Sequence, residues 1–174
     1  MKKFILWLCL IVTGMSLVAQ NNVIVAESEA TFVIENLGVD VEGRIRGMQG
    51  EVRLDQDSSF IDVALEVKAI RTGIRMRDQH LKEDRFLDQK QFPQLTFQSQ
   101  KISKKADVYV ALGQLTIKGV TREIEVSFQM QGELHIGSFS INRKDFNVDN
   151  DDFITRGIAD AVNISVYIKI DPNL

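Results

Sequence analysis

Arg77, Asp78 and His80 place a cation, an acid and an imidazole within four residues. An acid that orients an imidazole is the arrangement of a general-base pair. Here no Ser or Cys nucleophile accompanies the motif, and residues two apart on a helix do not face each other. The group is therefore expected to be structural, capping a short helix and tying a connecting segment to the body of the fold. His135 stands alone. With two histidines and one cysteine in the chain, no His-x-x-x-His spacing exists, and a metal site would need carboxylates for its remaining ligands. Asp149-Asn150-Asp151-Asp152 gathers hard oxygen donors, but Ile154 and Asp160 fall where a calcium loop of the EF-hand type needs Gly and Glu. That run reads as a solvated turn. Asn163-Ile164-Ser165 fits a glycosylation acceptor pattern by chance within a strand and is given no role. No catalytic residue, metal or cofactor is expected.

The elements that would position these residues follow from composition and period. The chain has 174 residues, 44% hydrophobic and 26% charged, which suits one folded domain rather than a disordered segment. Its net charge of −3 creates no field for phosphates, so a nucleic-acid partner is not expected. Lys2 and Lys3 precede an apolar run from Phe4 to Val12, and small residues follow to Ala19, which is the order of a secretory signal. Residues 1–20 are expected to be removed, leaving residues 21–174 as a single extracytoplasmic domain. The run is shorter than the ~20 residues a membrane-spanning helix needs. Cys9 lies inside it, so the exported domain has no cysteine and must be stabilised by packing.

From Ser28 onward the dominant period is two. Ile61, Val63, Leu65, Val67 and Ala69 alternate with polar or small residues, as do Val120 to Met130 and Val162 to Ile170. Less regular strands are expected at Thr31–Ile34, Gly43–Leu54, Leu95–Ile102, Val108–Ile117 and Leu134–Ile141. The total is about eight, characteristic of small antiparallel barrels. Gly43, Gly47 and Gly50 suggest one bulged or sharply bent strand that lets the sheet curl into closure. Ile74–Leu87 breaks the period, and its Ile74, Arg77, Leu81 and Phe86 predict a short helix in the connection after the third strand. Pro93 then restarts an extended chain. A barrel of this size is either filled by its side chains or holds one small ligand, and the alternation alone leaves both open.

Several blocks carry a resemblance across the chain. Thr72-Gly73, Arg77-Asp78, His80-Leu81, Phe86, Asp88, Phe92-Pro93 and Phe97 resemble the central signature of the YceI-like family of polyisoprenoid-binding, lipocalin-like bacterial proteins. Gly113 to Thr121 is similar to that family's strand-turn-strand block, and Ile141-Asn142-Arg143-Lys144-Asp145-Phe146 to its late Asn-Arg-x-Asp-Phe element. Asn147 stands where the family usually has Gly, and Asn also tolerates positive φ. Leu87 stands where Phe is frequent. The resemblance implies an exported, all-β, lipocalin-like extended barrel around an apolar tunnel. It also implies a long isoprenoid ligand such as a polyprenyl phosphate or quinone, held for carriage, storage or sequestration without turnover.

Inward candidates for the lining are Ile45, Ile61, Val63, Leu65, Val67, Leu95, Phe97, Val126, Phe128, Ile164 and Val166, each on the apolar register of its strand. Arg122 also falls on that register, and a lone buried cation is costly, so it is expected at the barrel rim. For a phosphorylated lipid, Arg75, Arg77, Arg122 and Arg143 are the head-group candidates, because the guanidinium fork suits phosphate oxygens. Two other classes remain at this level: a filled barrel that docks a partner or a second copy as a homodimer, and an enzyme acting on a lipid or quinone. A membrane-spanning barrel fits poorly, since the charged helical connection and the absence of aromatic girdles oppose it.

Overall fold

A computed structural model describes residues 27–53, 59–148 and 156–170. The expected leader 1–20, Leu54 and the acidic run 149–152 lie outside the described residues. Period-two stretches become strands wherever one face can be buried. In the strand Phe60–Glu66, Ile61, Val63 and Leu65 are buried while Asp62 between them faces water. In chain order the strands are β1 Glu29–Asn36, β2 Val39–Arg46, β3 Gln49–Arg53, β4 Phe60–Glu66, β5 Ile70–Arg71, β6 Gln94–Lys105, β7 Val108–Ile117, β8 Val120–Gln131, β9 Leu134–Asn142 and β10 Ile158–Lys169. They form one sheet in the order β3-β4-β6-β7-β8-β9-β10-β1-β2-β5. Every pairing is antiparallel.

The two ends of that order meet through the chain itself. Only Gly47 and Met48 separate β2 from β3, so one bent strand pairs with β1 along its first half and with β4 along its second. The expected single strand Gly43–Leu54 is thus two strands at a bend. Taken as one, and with the two-residue β5 set aside, it restores the eight walls expected of a lipocalin-like barrel. Gly47 and Gly50 have φ of 82° and 132°, in the region that side chains disfavour. At Gly50 a Cβ would also run into the carbonyl oxygen of Asp62 on the paired strand. The bend is anchored by Ser28, whose carbonyl accepts from the amides of Gly47 and Met48.

Two expected elements are shorter than their sequence pattern. The strand through Ala69 ends at Glu66, after which Val67–Ala69 form a 3-10 turn. The amide of Val67 donates to the Pro93 carbonyl at 2.9 Å, and the tighter turn sends Val67 and Ile70 inward together. A continued strand would have buried Val67 and Ala69 instead. The helix expected over Ile74–Leu87 is α1, Arg75–His80, six residues long. Residues 81–92 continue as local turns that swing Leu87 into the core, with Phe92 N donating to the Asp88 carbonyl at 2.8 Å.

The sheet is incomplete between β8 and β9. These strands pair only from Ser127 and Ser138 onward, so the first half of β8 has a partner on one side alone. A 3-10 turn, Arg143–Phe146, fills the gap and buries Phe146 at 2% exposure against the core. Asn147 ends that turn in the left-handed region with φ of 55°, the conformation for which Asn substitutes for Gly.

Gly50→Ala is expected to lower the unfolding free energy by about 2–4 kcal/mol, combining a disfavoured φ with a backbone clash. Gly38 also has positive φ, but a Cβ there meets nothing within 4 Å, so Gly38→Ala should cost about 1 kcal/mol. Urea denaturation of both variants tests the pair, and equal losses would show that Gly50 does not hold the bend.

Candidate functional site

The sheet surrounds a cavity of about 550 Å³ whose walls are almost entirely aliphatic and aromatic. Phe32, Ile164 and Val166 line it and are only partly buried, Phe32 and Val166 while also packing against the core. A filled core would have buried them completely. Hairpins fix the polarity of the lumen. The β6–β7 and β8–β9 turns gather at one end with the start of β1 and the end of β10, and the β1–β2 and β7–β8 turns gather at the other.

Three lining residues are exposed, and all belong to α1 or its N-terminal flank: Ile74 at 54%, Met76 at 67%, and His80. The cavity therefore opens beside α1. Leu37 and Val39, at the β1–β2 turn, are 81% and 64% exposed. At the opposite end Met48, Phe128, His135 and Ile168 line the cavity while fully buried, and they form its floor.

Ten of the eleven expected lining residues face the cavity: Ile45, Ile61, Val63, Leu65, Leu95, Phe97, Val126, Phe128, Ile164 and Val166. Val67 does not, since the 3-10 turn packs it into the solid core at 0% exposure. Of the four arginines, Arg77 and Arg143 line the cavity, whereas Arg75 and Arg122 are exposed and do not. Arg122 keeps the inward register but lies on the half of β8 that β9 leaves unpaired, and it is exposed there. Arg143, 7% exposed, donates to the carbonyls of Val148, Ile158 and Ala159 and pairs with Asp160 at 3.2 Å. It clamps the two described ends of the segment joining β9 to β10.

The Arg77-Asp78 motif works on the turn before α1. Asp78 Oδ1 accepts from the Thr72 amide at 2.7 Å and from Thr72 Oγ1 at 2.6 Å. Thr72 Oγ1 in turn accepts from Arg77 Nε at 2.8 Å, and Arg77 donates a second bond to the Thr72 carbonyl. The expected helix cap is absent, because Ile74 is the N-cap and makes no side-chain bond. The motif fastens α1 to Thr72 instead. Burial raises the pKa of Asp78, but the two Thr72 bonds and the charges of Arg71 and Lys82 outweigh it and leave the carboxyl below its ordinary value.

Sequence reasoning passed over Met48, Met76, Phe139, Ile141 and the inward aim of His135. Gly137, Phe139 and Ile141 continue the register of His135 on β9 and were the available signal. Met48 sits at the bend, where the period of two is interrupted.

Residues 22–170 match the family described as YceI-like domain. The UPF0312 protein of Yersinia enterocolitica is 30% identical over 159 residues, covering 82% of this chain and 83% of that protein. Among solved structures, Burkholderia cenocepacia BcnA superposes with a TM-score of 0.77 at 25% identity, covering 86% of this chain and 99% of that one. A polyisoprenoid binding domain from Saccharophagus degradans superposes with a TM-score of 0.66 at 12% identity, covering 87% and 98%.

Asp78→Ala should destabilise the protein by about 1–3 kcal/mol at neutral pH, since it strands the Thr72 amide and hydroxyl. A carboxyl with a lowered folded pKa stabilises above its ordinary value of 3.8 and loses that contribution as pH falls through the folded value. The gap between wild type and variant in urea unfolding should therefore narrow steadily on acidification below about pH 4; a gap independent of pH would refute the assignment.

Proposed function

Because the chain belongs to the YceI-like domain family and its sheet encloses an apolar lumen open beside α1, we propose that it binds a long apolar lipid of the isoprenoid type. The observation that carries this reading is the hollow itself, about 550 Å³ lined by aliphatic and aromatic side chains from β1 to β10. That volume lies within the range of sites that bury most of a small ligand. The polyisoprenoid binding domain that shares the fold supports the same ligand class. Affinity comes from removing hydrocarbon from water, roughly 0.8 kcal/mol per CH₂ before the cost of ordering the chain.

Binding without turnover is the reading that the polar residues favour. Arg77 and Asp78 spend their hydrogen bonds on Thr72, and Arg143 spends its own on backbone carbonyls. The lysine-led apolar leader supports an extracytoplasmic location, where such a protein carries, stores or sequesters its lipid.

Native mass spectrometry of the protein purified without detergent from its export compartment tests the proposal, with organic extraction of whatever is released. A stoichiometric lipid with a long apolar chain is expected. Ile164→Trp places an indole in the lumen and should weaken that binding at least tenfold, about 1.4 kcal/mol. Apo protein in repeated preparations, together with no uptake of added prenyl lipid, would overturn it.

A further inference from the structure

His135 is the second residue of β9, with Met130 and Ile168 as its ladder partners, at the floor of the lumen. It is 2% exposed and lines the cavity, and neither Nδ1 nor Nε2 has a hydrogen-bond partner among the described residues. Burial pushes its pKa down. The carbonyls of Glu133 and Ile168 oppose that shift without completing a hydrogen bond to the ring. The imidazole is accordingly neutral at pH 7, with one nitrogen a donor and the other an acceptor. Its companions on the floor are Met48, Phe128 and Ile168, and the Phe128 ring lies 6.4 Å from its own. The side chains of these three cannot satisfy either ring nitrogen, and a buried polar group left unpaired is costly.

We propose that His135 is a polar subsite at the floor of the lumen for the uncharged, hydrogen-bonding end group, a carbonyl or hydroxyl, of a long apolar ligand. This rests on the lipid-binding reading above and adds the ligand's orientation and the chemistry of its end. The end group enters first and the hydrocarbon fills the lumen toward α1. A phosphate fits poorly at this floor. The lining arginines, Arg77 and Arg143, lie toward the other end and are engaged by Thr72 and by backbone carbonyls, so a buried dianion would have no counter-charge.

The test titrates the purified protein by native mass spectrometry with geranylgeraniol, geranylgeranyl phosphate and the hydrocarbon of the same skeleton. Wild type is expected to hold the alcohol about tenfold more tightly than the hydrocarbon, the scale of one buried hydrogen bond. His135→Leu should bring that ratio near one, and His135→Gln, which keeps a donor and an acceptor, should restore most of it. Independently of any variant, the ¹⁵N resonances of the His135 ring should shift with the alcohol and not with the hydrocarbon. A wild-type ratio near one, a ratio that survives His135→Leu, an unshifted ring, or a preference for the phosphate each overturns the proposal while leaving lipid binding intact. Failure of all three ligands to bind overturns the lipid reading and this proposal with it.

Discussion

A sheet that surrounds open space must be held apart by its own backbone ladder, because its inward side chains lack partners across the gap. In a packed core, dispersion contacts between facing side chains share that work. Here Phe32, Ile164 and Val166 line the lumen and stay only partly buried, so the hydrogen bonds of β1 to β10 determine the width of the lumen. This makes the bend between β2 and β3 the decisive local feature. Gly47 and Gly50 allow one strand to serve two walls, and Ser28 fastens the corner through the Gly47 and Met48 amides. Without that corner β4 would be left with β6 alone and the curl would have an open seam.

The two ends of the lumen are built from opposite materials. The floor is made of buried residues of β8, β9 and β10 together with Met48 at the bend, and Phe128 stacks on Tyr109 at a centroid distance of 5.4 Å. The open end depends on short turns held by charged groups. Asp78 and Arg77 hold Thr72, Arg143 holds the start of β10, and Lys118 reaches from the β7–β8 turn to the carbonyls of Arg85 and Asn147. The polar residues of the family signature thus shape the opening. Arg77 and Asp78 direct their hydrogen bonds to Thr72, while most of the tunnel wall is aliphatic and aromatic.

Much of this was legible in the sequence, and the exceptions share a cause. Period two locates strands because a half-buried ladder imposes it, so Ile61 to Leu65 and Val126 to Phe128 fall on the inward face as expected. The pattern continues to Val67 and Ala69 after the strand has ended, because a 3-10 turn can bury Val67 with Ile70 as well as a strand can bury Val67 with Ala69. Arg122 is exposed for a related reason. It keeps the inward register, but the wall beside it is missing where β8 and β9 part, and absence of a neighbouring strand leaves no mark on local alternation. Both cases concern where the sheet ends rather than which way a residue faces within it.

Whether the barrel is hollow is a different kind of question, and alternation cannot reach it. Val, Ile, Leu and Phe serve equally as packing and as lining. What separates the two uses is the sum of side-chain volumes across the barrel against the space its strands enclose, a non-local quantity set by how far the sheet curls. Gly137 and Ala30 line the cavity as small residues on two different walls. Each subtracts volume that a packed barrel would have needed, and neither is unusual where it stands in the chain. The hollow is a property of these walls taken together, and it becomes visible only once the bend has brought them round a common axis.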